Sequence, residues 1–464
     1  MRHLKLLSLL SIPSLALLIS GCGGGPRIGH TTQTITFDNP GTQTVGAPLT
    51  VSATANSGLA VSFTSATPSD CTVSGTTVTF GAAGTCTIDA SVAGNSTYEA
   101  ASQVAQSFTV NPAIGPTTTI YIAGFATSTA SSAANNVNVA EQWQLTSGSP
   151  TATATALSMP SGMTSSQANA IAVSGSDVYV AGVASNSTSQ TAVYWLNNGA
   201  ATTLPIVMAY SEANAIAVSG SNVYVTGYGE NSAGNGGTAV LWVNGTATTL
   251  SPPSGMAYSD AKAIAVSGSN VYVAGFAWNN NSDESAVLWV NGAATLLPIP
   301  SGLTGEYYAS GIAVTGGNVY VAGYTDSSAN LDSAIFWVNN GAATTLPIPP
   351  NDSAGNYGAG GVTVSGSDVY VAGSGTSGAT DDTTAAFWVN GAPTTLPMPS
   401  NTTYAPGGNS SAGGIAVSGS DVYAVGSVGI SNAAYWVNGG AATLLPMSSG
   451  TSESYASAIA VATQ

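Results

Sequence analysis

The sequence predicts an all-β chain: a small N-terminal β-sandwich followed by a seven-bladed β-propeller with clasp closure. Three observations predict it. Apolar and polar residues alternate at the two-residue period of strands, punctuated by Gly-Ser and Asn-Gly turns, which excludes helical solenoids. From about residue 117 the chain repeats itself, with markers spaced 45 to 58 residues apart, the length of a four-stranded blade. The two ends of the repeat region are complementary, one a second strand without its first and the other a first strand without its second.

The chain begins with a targeting segment. Arg2, His3 and Lys5 form a basic start, and Leu6 to Leu18 is an apolar stretch too short to span a bilayer as a helix, which needs about 20 residues. Ile19-Ser20-Gly21-Cys22 closes it and resembles the lipobox of bacterial lipoproteins. The resemblance implies a signal peptide over 1–21, a lipid attachment at Cys22, and acyl chains that hold the protein on a membrane. Gly23 follows that Cys where an Asp would signal retention at the inner membrane, so the resemblance implies the outer membrane, facing the cell surface or the periplasm. Residues 22–32 read as a tether.

Residues 33–111 supply the sandwich. Thr34–Phe37, Leu49–Ala53, Val61–Thr64, Thr77–Phe80, Cys86–Ala90 and Ser107–Val110 alternate in character and are separated by turn residues. Cys71 and Cys86, 86 − 71 = 15 residues apart in an exported chain, are expected to pair as a disulfide. The stretches Gln33–Phe37, Ala66–Val73 and Ala83–Ile88 resemble bacterial surface Ig-like repeats, which implies an Ig-like spacer module. Residues 112–116 are a linker, and 117–464 the propeller.

The repeat is clearest over 213–250. Ala213–Val218 and Val223–Tyr228 are strands joined by a Gly-Ser turn, and Thr238–Val243 leads through Asn244-Gly245 into a fourth strand. Trp143, Trp195, Trp242, Trp289, Trp337, Trp388 and Trp436 mark third strands and are expected to pack blade against blade. Tyr121, Tyr179, Tyr224, Tyr272, Tyr320, Tyr370 and Tyr423 mark second strands. Thr119–Gly124 and Ala456–Val461 complete one blade between them, removing the free edges. The Val-Tyr-Val-Ala-Gly and Tyr-Trp-x-Asn-Gly motifs resemble repeats of uncharacterised bacterial surface lipoproteins, a resemblance that names no activity. Tight turns gather at one end of such a blade and long, varied loops at the other, where binding is usually built.

Composition narrows the chemistry. Lys and Arg number 4 against 20 Asp and Glu, a formal charge of −16 in 464 residues. Such a chain cannot neutralise phosphates, which excludes nucleic acid as a partner. Loss of Arg2 and Lys5 with the leader takes the charge to 2 − 20 = −18. With 2 His and 3 Cys, imidazole and thiol catalysis lack residues, so carboxylates are what remains. Asp177, Asp368 and Asp421 read as turn formers.

A Tyr-plus-carboxylate set precedes the inner strands: Tyr210 and Glu212, Tyr258 and Asp260, Glu306 and Tyr308, Glu453 and Tyr455. Ringing the channel mouth, these could hold a sugar or a cation by stacking and hydrogen bonding, or simply pack between loops. Trp278, outside the blade pattern, joins them as a candidate binding residue. Asp283, Glu284, Asp326, Asp332, Asp381 and Asp382 are oxygen donors of a kind that binds Ca²⁺, without a calcium-loop spacing, and no other cofactor is called for. The expected function is a non-catalytic, membrane-anchored lipoprotein whose long-loop face recognises a glycan or protein partner, as in adhesion. Two alternatives stand beside it: a carboxylate-dependent, calcium-assisted glycan-active enzyme, and an outer-membrane assembly scaffold.

Overall fold

The computed structural model describes residues 29–111, 117–128, 137–147, 149, 151–206, 208–231, 236–299, 305–326, 332–350, 355–376, 382–399, 409–429 and 431–463. Cys22, the leader and the linker 112–116 lie outside these residues, as does Asp381. The described chain is all-β, without a helix, and divides into two compact units after Gly115.

In the first unit a four-stranded sheet has the order Gln43–Thr44, Val104–Asn111, Gly84–Ser91, Ser62–Ser65. A three-stranded sheet has the order Leu49–Thr50, Thr77–Phe80, Cys71–Ser74, and Ile35–Phe37 pairs with Ala53–Ala55. Phe37, Val78, Phe80, Ile88 and Phe108 fill the core. Cys71 and Cys86 form a disulfide that ties the three-stranded sheet to the four-stranded one. Closing that loop stabilises by about 3 kcal/mol on the chain-entropy model. The strand at Cys71–Ser74 is not among the six strands expected from the sequence.

The second unit consists of four-stranded antiparallel groups, here sheets I to VII in chain order. Sheet I joins Thr118–Ser128, Asn138–Thr146 and Thr153–Ala156 to the final strand Thr451–Thr463, which pairs antiparallel with Thr118–Ser128. The inner strands of II to VII are Ser165–Ser174, Tyr210–Ser219, Tyr258–Ser267, Glu306–Thr315, Asn356–Ser365 and Ser410–Ser418. Each packs against the next, and the last packs on Thr451–Thr463, which meets Ser165–Ser174 and closes the ring. A closed ring of radially packed four-stranded sheets is a β-propeller.

The seven marker Trp side chains are buried, and each does a second job. Its Nε1–H donates across the junction to a carbonyl where the preceding sheet's outer strand ends: Trp195 to Ser158, Trp242 to Pro205, Trp289 to Ser251, Trp337 to Pro298, Trp388 to Pro347, Trp436 to Pro397. Trp143 of sheet I donates to Pro446 beyond sheet VII, so the chain of bonds closes with the ring. Asn244 and its counterparts adopt left-handed backbone (φ 49° at Asn244), as a two-residue Asn-Gly hairpin requires. The Asn197, Asn390 and Asn438 amides donate to Asp177, Asp368 and Asp421, which places those carboxylates in turn bracing.

Every inner strand carries a β-bulge near its middle. The register slips between Ala168 and Ala170, Ala213 and Ala215, Ala261 and Ala263, Ala309 and Gly311, Ala359 and Gly361, and Ala412 and Gly414. The extra residues are Asn169, Asn214, Lys262, Ser310, Gly360 and Gly413, with Ser457 in the final strand. The bulge also accounts for the glycine of the Val-Tyr-Val-Ala-Gly motif. A Cβ on Gly227 or Gly275 would land on the carbonyl oxygen of Glu212 or Asp260 across the pair, a collision repeated in every sheet.

Candidate functional site

The expected Tyr-plus-carboxylate positions do not lie ahead of the inner strands. They lie within them, because pairing continues to Tyr210↔Glu230, Tyr258↔Trp278 and Glu306↔Asp326. The alternation of a strand then places residues 212, 260 and 308 on the same side as the bulge residues two positions later.

Sheets III to V converge. Asn169 Nδ2 donates to Glu212 Oε1 at 2.9 Å, and Gln190 Nε2 to Glu212 Oε2 at 3.3 Å. One sheet on, Asn214 Nδ2 donates to Asp260 Oδ1 at 3.0 Å. Lys262 Nζ pairs with Asp260 Oδ2 at 2.6 Å and lies 5.8 Å from the centre of the Phe276 ring. Burial pushes both carboxylates above their usual range, and the Lys262 charge opposes that push at each.

Beyond them stands an aromatic wall. Tyr258 and Trp278 rings are 5.5 Å apart, Trp278 and Phe276 5.6 Å, Phe276 and Tyr308 5.0 Å, and Tyr308 stacks on Tyr324 at 4.8 Å. A cavity of about 240 Å³ opens against it, lined by Asn214, Lys262, Phe276, Tyr308, Ser310 and Tyr324. A larger hollow of about 660 Å³ lies along Pro205, Met208 and the outer strand Thr246–Thr249, and among the described residues its lining has no ionisable side chain. The chemistry therefore belongs to the smaller cavity.

Tyr308 links the cavity to two acids. Its Oη–H donates to Glu306 Oε2 at 3.0 Å, and Glu284 hydrogen-bonds the same hydroxyl. Burial, then these two bonds, push the Tyr308 phenol far above its ordinary value. A phenol has one proton to give, and the two carboxylates compete for it. Burial raises the Glu284 carboxyl above its usual range, the Tyr308 hydrogen bond opposes that push, and the charges of Glu306, Asp326 and Asp260 add to it.

The remaining expected residues separate from this cluster. Tyr210 is exposed, opposite Glu230. Tyr455 stacks on Phe125 at 4.9 Å in sheet I, with Glu453 opposite Thr127. Asp283 accepts from the Asn279 amide at 2.8 Å and braces its own loop. Among the described residues no three His, Cys, Asp or Glu side chains gather as a metal would need, so Asp283, Glu284, Asp326, Asp332 and Asp382 form no such set. The sequence reading missed Lys262, Phe276, Tyr324, Asn214 and Ser310. One signal was available: Lys262 is the only Lys or Arg after position 27, and it occupies a position held by Asn, Ser or Gly in the other sheets.

No family model and no curated protein matches the chain. Solved structures do. An exo-1,5-α-L-arabinanase from a bovine ruminal metagenomic library is 10% identical, covers 48% of this chain and 96% of its own, and has a TM-score of 0.29. An α-L-arabinofuranosidase from Clostridium thermocellum is 13% identical, covering 50% of this chain and 92% of its own, with a TM-score of 0.27. An acylaminoacyl peptidase from Pyrococcus horikoshii is 12% identical and has a TM-score of 0.41, covering 70% of this chain and 50% of its own. The expected non-catalytic display domain is corrected at this point. These three carry the names of enzymes, and at such identities they speak to the fold alone. In this chain, carboxylates bond the residues that line an aromatic cavity, Asp260 to Asn214 and Lys262 and Glu306 to Tyr308, while Asp177, Asp368, Asp421 and Asp283 brace turns and a loop.

Proposed function

We propose that the chain is a membrane-anchored, glycan-active enzyme, built as a seven-bladed propeller behind an immunoglobulin-like spacer. One observation carries the catalytic reading: a single hydroxyl, Tyr308 Oη, is shared by Glu306 and Glu284 beside an aromatic-walled cavity. Glycoside cleavage needs a carboxylic acid to protonate the departing oxygen and a carboxylate to supply electrons at the anomeric carbon, directly or through a water. Glu284, whose carboxyl burial raises above its usual range, takes the first role. Glu306, which accepts the Tyr308 hydrogen bond, takes the second. The faces of Tyr324, Phe276 and Trp278 suit the apolar faces of sugar rings, and Asn214 and Ser310 suit their hydroxyls. The anchor rests on the order of basic start, apolar stretch and small residues before Cys22.

The test is hydrolysis of a panel of neutral, amino and acidic polysaccharides, followed by reducing-end release. Glu284→Gln and Glu306→Gln should each lower turnover by roughly 10²–10⁴ while leaving the fold intact. Absence of cleavage across the panel, or undiminished turnover in both variants, would overturn the reading. The anchor is tested apart from it, by fatty-acid labelling in cells: Cys22→Ala should abolish the label, and an unlabelled parent chain would sink that part.

A further inference from the structure

The cavity joins two features that an ammonium group seeks. One is a set of aromatic faces, Phe276, Tyr308 and Tyr324, which attract a cation through their electron-rich centres. The other is an excess of negative charge. Glu284 feels Glu306, Asp326 and Asp260, and Glu212 feels Asp260, while Lys262 alone among the described Lys and Arg residues opposes them. Lys262 itself shows how an ammonium seats here, with its Nζ at 2.6 Å from Asp260 and above the Phe276 ring. Only one cation is supplied from within, and the carboxylates around Tyr308 outnumber it. The whole molecule points the same way. With 20 carboxylates and 4 basic residues, its long-range field draws cations in and holds anions off.

We infer that the cavity takes a sugar bearing a free amine, with the ammonium seated between the aromatic wall and the carboxylates of sheets IV and V. This rests on the glycan-active reading and names its substrate class: a glycan rich in unacetylated amino sugars. A volume of about 240 Å³ is below the usual range of drug-sized sites, so the occupant is one sugar ring with its amine, the rest of the chain lying outside. In this arrangement Lys262 holds Asp260 and Phe276 when the cavity is empty and competes with the incoming amine.

The experiment measures binding by calorimetry on the full-length chain carrying Glu284→Gln, so that cleavage does not intervene. The probes are a glucosamine tetramer and the same tetramer fully N-acetylated. The amine tetramer should bind at least roughly tenfold more tightly at low salt, and high salt should erase most of that advantage. Adding Lys262→Met should tighten the amine tetramer several-fold by removing the internal competitor. Adding Tyr324→Leu, on the facing wall, should reduce the preference and serves if the Lys262 variant fails to fold. Equal binding of the two tetramers, a preference indifferent to salt, or a Lys262→Met protein that loses the amine tetramer overturns the inference. Cleavage of neutral glycans without amine preference would sink the inference and keep the enzyme. Amine-selective binding with no cleavage by the parent chain would do the reverse.

Discussion

The propeller's sheets share one framework, yet its inner wall has two characters. In sheets II to V the bulge residue carries a side chain that reaches out: Asn169 and Asn214 to the next sheet's carboxylate, Lys262 to Asp260, Ser310 to the Ala359 carbonyl. In sheets VI and VII the same residue is Gly360 or Gly413. The Trp bonds and the motif glycines do not follow this division and recur all round the ring. Framework and chemistry are thus written at different positions of one repeat. The framework is what repeats, and the chemistry is where the repeat departs from itself.

The largest effect that could break this comparison is catalytic. Glu284→Gln or Glu306→Gln should cost roughly 10²–10⁴ in turnover. On the other side, Ser411→Ala removes a hydroxyl that bonds Ser427 beside a polar hollow of about 260 Å³. It should leave turnover within about twofold, surface-type changes away from the chemistry being near neutral. A loss at Ser411 matching that at Glu284 would mean that chemistry is spread round the ring.

Next in size is the framework itself. Trp289→Ala in sheet IV and Trp436→Ala in sheet VII each empty a buried site and break a 2.8 Å bond to the neighbouring sheet. Each should cost roughly 3–5 kcal/mol in urea unfolding, since truncating a buried Trp removes packing and leaves a cavity. The two values should agree within about 1 kcal/mol despite the different inner walls. A much smaller cost at Trp436 would show that the glycine half is held by something other than the Trp ring.

These framework features were legible in the sequence because they are local and recur. A Trp every 47 to 52 residues and an Asn-Gly turn can be read one sheet at a time. The site was legible only in pieces. Tyr258, Asp260, Trp278, Glu306 and Tyr308 stood out as aromatic or acidic residues in a polar stretch. Glu284 stood out too, but as a metal donor, because its partner Tyr308 is 308 − 284 = 24 residues away and meets it only through sheet packing. Phe276 and Tyr324 follow the motif glycine in second strands and look like ordinary core residues. Nothing in their local sequence says that the strand beside them is bulged and that their rings face a cavity. The inner strands also run further than their apolar cores suggest, which moved the acids from loop to wall.

A third, smaller effect tests whether the glycine half is small because strands must approach or because a side chain is simply absent. A Cβ on Gly360 would meet the Gly413 carbonyl oxygen at 3.0 Å, whereas one on Gly413 finds only the Ser457 carbonyl at 3.9 Å. Gly360→Ala should therefore cost roughly 1–3 kcal/mol from overpacking. Gly413→Ala should stay within about 0.5 kcal/mol. Equal costs would mean that the inner strands of VI and VII are equally crowded, and the comparison would lose its steric basis.

The smallest expected effect separates two acids that burial raises alike. Glu284 lies beside Tyr308 of the cavity lining, while Glu141 is wholly buried in sheet I, bonded to Ser448 with its second carboxyl oxygen lacking a partner among the described residues. Burial raises the Glu141 carboxyl above its usual value, with the Ser448 bonds opposing. A raised acid binds its proton more tightly folded than unfolded, so its contribution is fully present below the unfolded value and is lost as pH rises through the folded one. Glu141→Gln keeps the Ser448 contact and removes the charge. Thermal unfolding should then show a variant less stable than, or equal to, the parent near pH 4 and more stable near neutrality, with turnover unchanged. If the variant instead loses turnover, the closure of sheet I on sheet VII is coupled to the distant cavity, and the division of the ring into a chemical half and a structural half fails.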